Sequence, residues 1–349
     1  MSAVDDELPP DATVAAKLAA YLRSGGIITP LITVVIAFLV GGLVVLVTGH
    51  DPIATYRAIF NGTGLNWLFP WTSEDDRIAA SLNLQQTLIK TTPLILTGLA
   101  VAFAFRCGLF NIGGQGQFIV GSIAAVWIGS SFADMPGFLH IVLALLGGCA
   151  AGALWAGIAG ALKASAGTNE VISTIMLNWI AVWVGVWAFS RGGPLQNSDP
   201  RQQDVPISDD VVEAAKLPVI WGNPILQGLH VGIFIALAAA LVFWVILNRT
   251  TLGFEVRAVG FNPDAAAAAG ISVGRNYFVV MAICGVFAGL AGALDVLGWQ
   301  FRINTNDIRA SELGFIGIAV ALLGRNTAIG VCFSALLFGA LLTGTSGRN

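Results

Sequence analysis

Charge is scarce in this sequence. Lysine, arginine, aspartate and glutamate make up only 11% of its 349 residues, less than half the roughly 25% of a soluble domain. The net charge is -3 and no basic run occurs, so the footprint that nucleic acid requires is missing. There are only four cysteines and three histidines. Cys107, Cys149, Cys284 and Cys332 stand singly in or beside apolar segments with no CxxC pair, and they read as buried thiols. His50, His140 and His230 each stand alone near the end of an apolar run, which argues against a metal site. The sequence has no GxxxxGK[ST] phosphate loop and no nucleophile, metal or paired-carboxylate constellation. Neither ATP binding, a bound cofactor nor bond-making chemistry is expected of this chain. Asp5, Asp6 and Glu7 lie where a secretory signal would be basic, so no cleaved signal is expected.

What is abundant is apolar. Hydrophobic residues reach 56% and the mean hydropathy is +0.80, the composition of an integral membrane protein. The 42 glycines suit membrane helices that approach closely. After a tail over residues 1–26, apolar runs long enough or nearly long enough to cross a bilayer occupy Ile27 to Val47, Leu84 to Phe105, Phe118 to Gly129, Phe138 to Leu162, Asn169 to Phe189, Leu229 to Leu247, Asn276 to Leu297, Glu312 to Asn326 and Ala328 to Leu342. An all-α, polytopic fold of about nine crossings is expected, as a single membrane domain over residues 27–349. Trp67 and Trp71 in the polar loop Thr48 to Ser81 suit the membrane interface. Residues 191–228 form a long polar loop with room for a surface helix around Asp209 to Lys216. Short-loop Lys and Arg place the N-terminus in the cytoplasm.

Two segments are interrupted. Gly108 to Gly116 contains four glycines, with Asn111, Gln115 and Gln117 around them, and irregular backbone at membrane depth survives only when buried in protein or lining a wet cavity. The run from Glu312 is short and follows a polar, Asn-bearing turn. FIVGSIAAVWIG and FIGIAVALLGR echo one another, and paired interrupted segments point to a transporter's central site in two weakly related halves. Intramembrane amides suit a neutral, hydroxyl-rich solute, which makes Asn111, Gln115, Gln117 and Asn178 candidates for the pathway. Lys90 either snorkels to the interface or lines the path. Glu170, beside Lys163, is either a structural partner or part of the path. Phe118, Trp179 and Trp183 either stack on a base or meet lipid.

The polar stretch Thr251 to Val273 spells a very short helix. Asn262 is a favoured N-cap, Pro263 fits the first helical position, Asp264 complements the helix dipole, and Gly270 can close the helix in the left-handed region. So short a helix must lean on something. It either docks into a groove on a partner or serves as a capped connector on its own membrane domain.

GLFNIGGQGQFIVG, NEVISTIMLNWIA, TLGFEVRAVGFNPDAAAAAGISV and GFIGIAVALLGRN together resemble the permease subunits of ABC importers of the ribose and branched-chain amino acid superfamily, above all the nucleoside-type permeases. The resemblance implies that residues 249–275 face the cytoplasm, with Arg257, Gly260, Asn262, Pro263, Asp264 and Gly270 forming a coupling helix against a separate ATPase that carries ATP and magnesium. It also implies a second permease subunit, identical or homologous, a solute-binding lipoprotein, and a site in the cytoplasmic membrane of a prokaryote. Nucleosides or similar small polar solutes are the expected cargo, with ribose or simple sugars as the alternative. From a different class, an ion-coupled transporter would use Lys90, Glu170 or Asp295 as its relay. Permeases of this type generally finish with one more helix, so the expectation at the C-terminus is either a missing final helix or a re-entrant segment.

Overall fold

A computed structural model describes residues 28–202, 204–222 and 228–346. The tail expected over residues 1–26 lies outside them. Among the described residues, those up to Phe60 form one compact unit and those from Asn61 onward a second. In the first, α1 (Ile28–Val47) is followed by α2 (Pro52–Gly62) at a bend of 114°. Tyr56 closes that bend, donating its hydroxyl to the Phe38 carbonyl at 2.8 Å with the two rings edge to face.

The described residues of the second unit hold one small hairpin among helices: α3 (Glu74–Arg106), α4 (Gly114–Ser130), α5 (Gly137–Ala166), α6 (Glu170–Phe189), strands β1 (Val219–Trp221) and β2 (Leu229–His230), α7 (Gly232–Arg249), α8 (Thr251–Phe261), α9 (Pro263–Ala268), α10 (Val273–Asp295), α11 (Thr305–Ala310), α12 (Leu313–Leu323) and α13 (Ala328–Gly344). Among the described residues each of the nine expected apolar runs forms a helix. Five of these, α3, α5, α6, α7 and α10, are long and apolar enough to cross a bilayer, or six spans if the bent α1 and α2 count as one. The chain is a multi-pass membrane protein. α12 has only 11 residues, roughly 16 Å at 1.5 Å per residue, about half the hydrocarbon thickness.

Two expectations are corrected. The second run starts at Glu74, ten residues before Leu84, because Ser73 caps it by accepting the Asp76 amide at 3.3 Å and acidic residues fill its positive end. The stretch Asp209 to Lys216 makes one 3-10 turn, Glu213–Ala215, and not a surface helix. Its backbone instead pairs inward, with Ser208 N–H donating to Ile303, Val211 to Phe301 and Leu217 to Leu297. Of the two readings open for Trp179 and Trp183, stacking on a base or contact with lipid, their exposures of 64% and 60% fit the second. The short helix at 263–268, in contrast, forms as its residues dictate: Asn262 Oδ1 accepts the amides of Asp264 and Ala265, both at 3.0 Å, and Gly270 has φ +84.

The central helix α3 packs against α7, α10, α12 and α13, and its Leu94, Leu99 and Phe103 are wholly buried. Phe103, Phe243 and Phe287 meet there with ring centroids 5.9 to 6.4 Å apart. Where α4, α5 and α10 converge the contact is backbone on backbone. A Cβ on Gly152 would lie 2.2 Å from the Gly285 carbonyl oxygen, one on Gly289 2.2 Å from that of Gly148, and one on Gly121 2.4 Å from the Gly289 Cα. Between membrane helices, association rests on such close packing. Gly289→Val therefore forces α5 away from α10, at a cost of at least about 3 kcal/mol, the upper end for overpacking. The expected outcome is a lower unfolding temperature in detergent and less monodisperse protein on size exclusion; a variant with the wild-type midpoint would refute the close-packing account.

Candidate translocation cleft

The interrupted segment between α3 and α4 is built from amides. Asn111 and Gln117 form a closed amide pair, Asn111 Nδ2 donating to Gln117 Oε1 at 3.1 Å and Gln117 Nε2 donating to Asn111 Oδ1 at 3.0 Å. Asn178 on α6 accepts the Gly116 amide at 2.8 Å and donates to the Ile112 carbonyl at 3.0 Å. Gln115 reaches the start of α12, donating to the Ser311 carbonyl at 2.7 Å and accepting the Gly314 amide at 2.9 Å. All four are buried. They satisfy backbone groups that a helix would otherwise pair, and the two interrupted segments meet at their starts. These amides, expected to line a path, are hydrogen-bonded to one another or to backbone, and none of the four is among the residues that line the cleft.

The path-sized space lies beside them. A cleft of about 870 Å³ runs between α3, the end of α10, α11, α12 and the loop before β1, within the size range of small-molecule sites. Ile89, Lys90 and Pro93 contribute one face from α3. Proline there removes the amide that would pair with the Ile89 carbonyl. Lys90 does not simply snorkel: it lines the cleft and donates to the Leu342 carbonyl at 3.0 Å. Opposite stand Asp295, Trp299, Gln300 and Arg302, then Asn304, Asp307 and Glu312, with Gln202 from the loop. Both charge signs, three amides and one indole face the same space, a lining able to hold a polar, partly planar solute.

Sequence reading missed Trp299 and Gln300, because α10 ends in a π-helical turn, Val296–Gln300, which periodicity does not disclose. Such turns often mark functional sites. Gln300 Nε2 donates to the Asp295 carboxylate, and Phe301 follows with φ 58 in the left-handed region, where a non-glycine residue is strained. His230 of β2 buttresses the turn: a Cβ on Gly298 would lie 2.5 Å from its ring, and its Nδ1 accepts the Gly232 amide at 3.1 Å. The remaining predicted residues lie elsewhere. Glu170 pairs with Lys163 at 2.8 Å, outside the cleft. Phe118 is buried, and its carbonyl oxygen lies where a Cβ on Gly292 would come within 2.2 Å. Gly260 packs on the 106–107 backbone, where a Cβ would come within 2.3 Å of the Arg106 carbonyl oxygen. Arg257 lies on α8 and not on the short helix. Among the described residues no cluster of three or more metal-ligating side chains occurs.

The family model for the branched-chain amino acid transport system permease component matches residues 83–347, which includes every wall of the cleft. The chain is an ABC transporter permease. It is 42% identical over 324 residues to the guanosine ABC transporter permease of Bacillus subtilis (strain 168), covering 92% of this chain and 86% of that one. With the nucleoside ABC transporter permease of Lactococcus lactis subsp. cremoris (strain MG1363) it shares 36% over 330 residues, 93% and 85% of the two chains. With the glucose ABC transporter permease of Haloferax volcanii it shares 34% over 350 residues, 98% and 84%. No solved structure matches. A permease of this kind works with an ATPase and a solute-binding partner.

Two measurements test the cleft's supports. Gln115→Leu leaves the Gly314 amide and the Ser311 carbonyl without partners, at about 1–3 kcal/mol each, so the permease should unfold at a clearly lower temperature in detergent; an unchanged midpoint would remove the bracing role. Burial lowers the His230 pKa from 6.5 to about 4. Between those values the unfolded chain takes up a proton that the folded chain refuses. Stability is therefore complete above about pH 6.5 and declines as pH falls toward 4. His230→Gln should flatten the unfolding midpoint between pH 7 and 5, and an equal slope in both proteins would show that His230 does not titrate as described.

Proposed function

We propose that this permease imports nucleosides or related small polar solutes across the cytoplasmic membrane of a prokaryote, with the 870 Å³ cleft as the solute's path. The observation that carries the reading is the lining itself: Lys90, Asp295 and Gln300 supply donors and acceptors for ribose hydroxyls and base edges, and Trp299 supplies an aromatic face. The names of the guanosine and nucleoside relatives favour that solute class. With the N-terminus inside, the 191–228 loop lies outside and roofs the cleft with Gln202 and Val205, where a binding lipoprotein would release solute.

The chain takes no catalytic role and carries no phosphate loop. ATP and magnesium bind the partner ATPase, and a second permease, identical or homologous, completes the membrane part. Coupling runs through residues 249–275. On α9 only Ala266 is buried, and Phe261 just before it is 94% exposed. An apolar ring and a row of methyl groups left uncovered at an aqueous end mark a docking surface. Asn262, Pro263, Asp264 and Gly270 shape that surface, while Gly260 and Arg257 fix α8 behind it.

The glucose relative supports a second substrate reading, sugars. Proteoliposomes holding the permease with its ATPase and lipoprotein should take up labelled guanosine only with ATP, and other nucleosides should compete while glucose does not. Gln300→Leu should reduce uptake by about tenfold or more without loss of complex, and Phe261→Asp or Ala267→Asp should lose the ATPase on co-purification. Uptake of glucose unaffected by nucleosides would overturn the substrate, and uptake driven by a proton gradient with no ATPase would overturn the mechanism.

A further inference from the structure

A second cavity, of about 280 Å³, opens between the end of α3, α7, α8 and the start of α13. Two arginines share it. Arg106 donates Nε and Nη2 to the Asn326 carbonyl at 3.0 and 2.8 Å, and Arg257 donates Nη1 to Asn248 Oδ1 at 3.4 Å. Neither is among the ion pairs of the described residues. Neutral oxygens thus aim two like charges into one space and leave both uncompensated.

The rest of the lining is apolar in a graded way. Phe243 and Leu247 are buried, whereas Trp244 and Ile329, on the apolar helices α7 and α13, are 41% and 72% exposed. Guanidinium forks match the geometry of a phosphate group, and basic pockets between membrane helices hold acidic headgroups. A free phosphate ion would satisfy the arginines and leave the aromatic and aliphatic rim without a partner. We propose that this cavity binds the phosphodiester headgroup of an anionic phospholipid, with an acyl chain lying along Trp244 and Ile329. The lipid would then tie α8 to α3 and α13 without taking part in solute recognition.

Native mass spectrometry of the purified full chain, alone and with its ATPase, tests this with phosphatidylglycerol, phosphatidylcholine and inorganic phosphate as probes. The expected result is retention of phosphatidylglycerol over phosphatidylcholine by about tenfold, with inorganic phosphate at millimolar concentration failing to displace it. Arg257→Gln should abolish that preference, Arg257→Lys should keep part of it, and Trp244→Ala should weaken the lipid. Arg106→Gln removes the two bonds to Asn326 and can fail to fold, so the exposed Arg257 is the deciding position. Equal retention of the two lipids, a preference untouched by Arg257→Gln, displacement by phosphate, or loss of the lipid when the ATPase binds would each overturn the proposal. The last outcome would assign the site to a carboxylate of the ATPase.

Discussion

The Gln115 side chain joins the start of α4 to the start of α12 through two hydrogen bonds, and most of this architecture depends on that joint. Hydrocarbon offers no water to an unpaired amide or carbonyl. A chain that turns back inside the bundle, as residues 107–113 do, must therefore find its partners in protein. It finds them in Asn111 locally, for the Gly113 amide, and in Asn178 at long range, for the Ile112 carbonyl, while Gln115 serves the Ser311 carbonyl and the Gly314 amide at the start of α12. With the backbone satisfied, the wall behind the cleft is held in place, and the polar groups in front of it face the cleft.

Packing supplies the second constraint. The glycine faces of α4, α5 and α10 bring three backbones together, which fixes the direction of α10 and so the place where its π-helical turn delivers Trp299 and Gln300. The cleft is then the space left over between α3, which carries Pro93 within it, and the short helix α12. Its mixed charge would be costly in lipid and is tolerated in a wet cavity.

What could be read from sequence was local. Asn262, Pro263, Asp264 and Gly270 spell a capped helix within eight residues or so, and each plays the local part expected of it. Lys163 and Glu170 flank one short loop and do pair. The apolar runs need only composition. What could not be read was the partner of each amide: Gln115 meets Gly314 across 199 positions and Asn178 meets Gly116 across 62. Trp299 and Gln300 were hidden at the end of an apolar run by a local change of helical period. The early start of α3 was a missed local signal, since Ser73 before an acidic turn is a capping pattern.

The joint at Gln115 also limits how this protein can move. Separating the starts of α4 and α12 would expose two buried polar groups at once, so those two segments travel as one body. Any opening of the cleft has to come from elements not bound to that body. The turn between α12 and α13 is where backbone tension is concentrated, with Arg325 and Asn326 both at φ 54. Because Asn326 also accepts two bonds from Arg106, a swing of α13 about that turn would be felt at the end of α3.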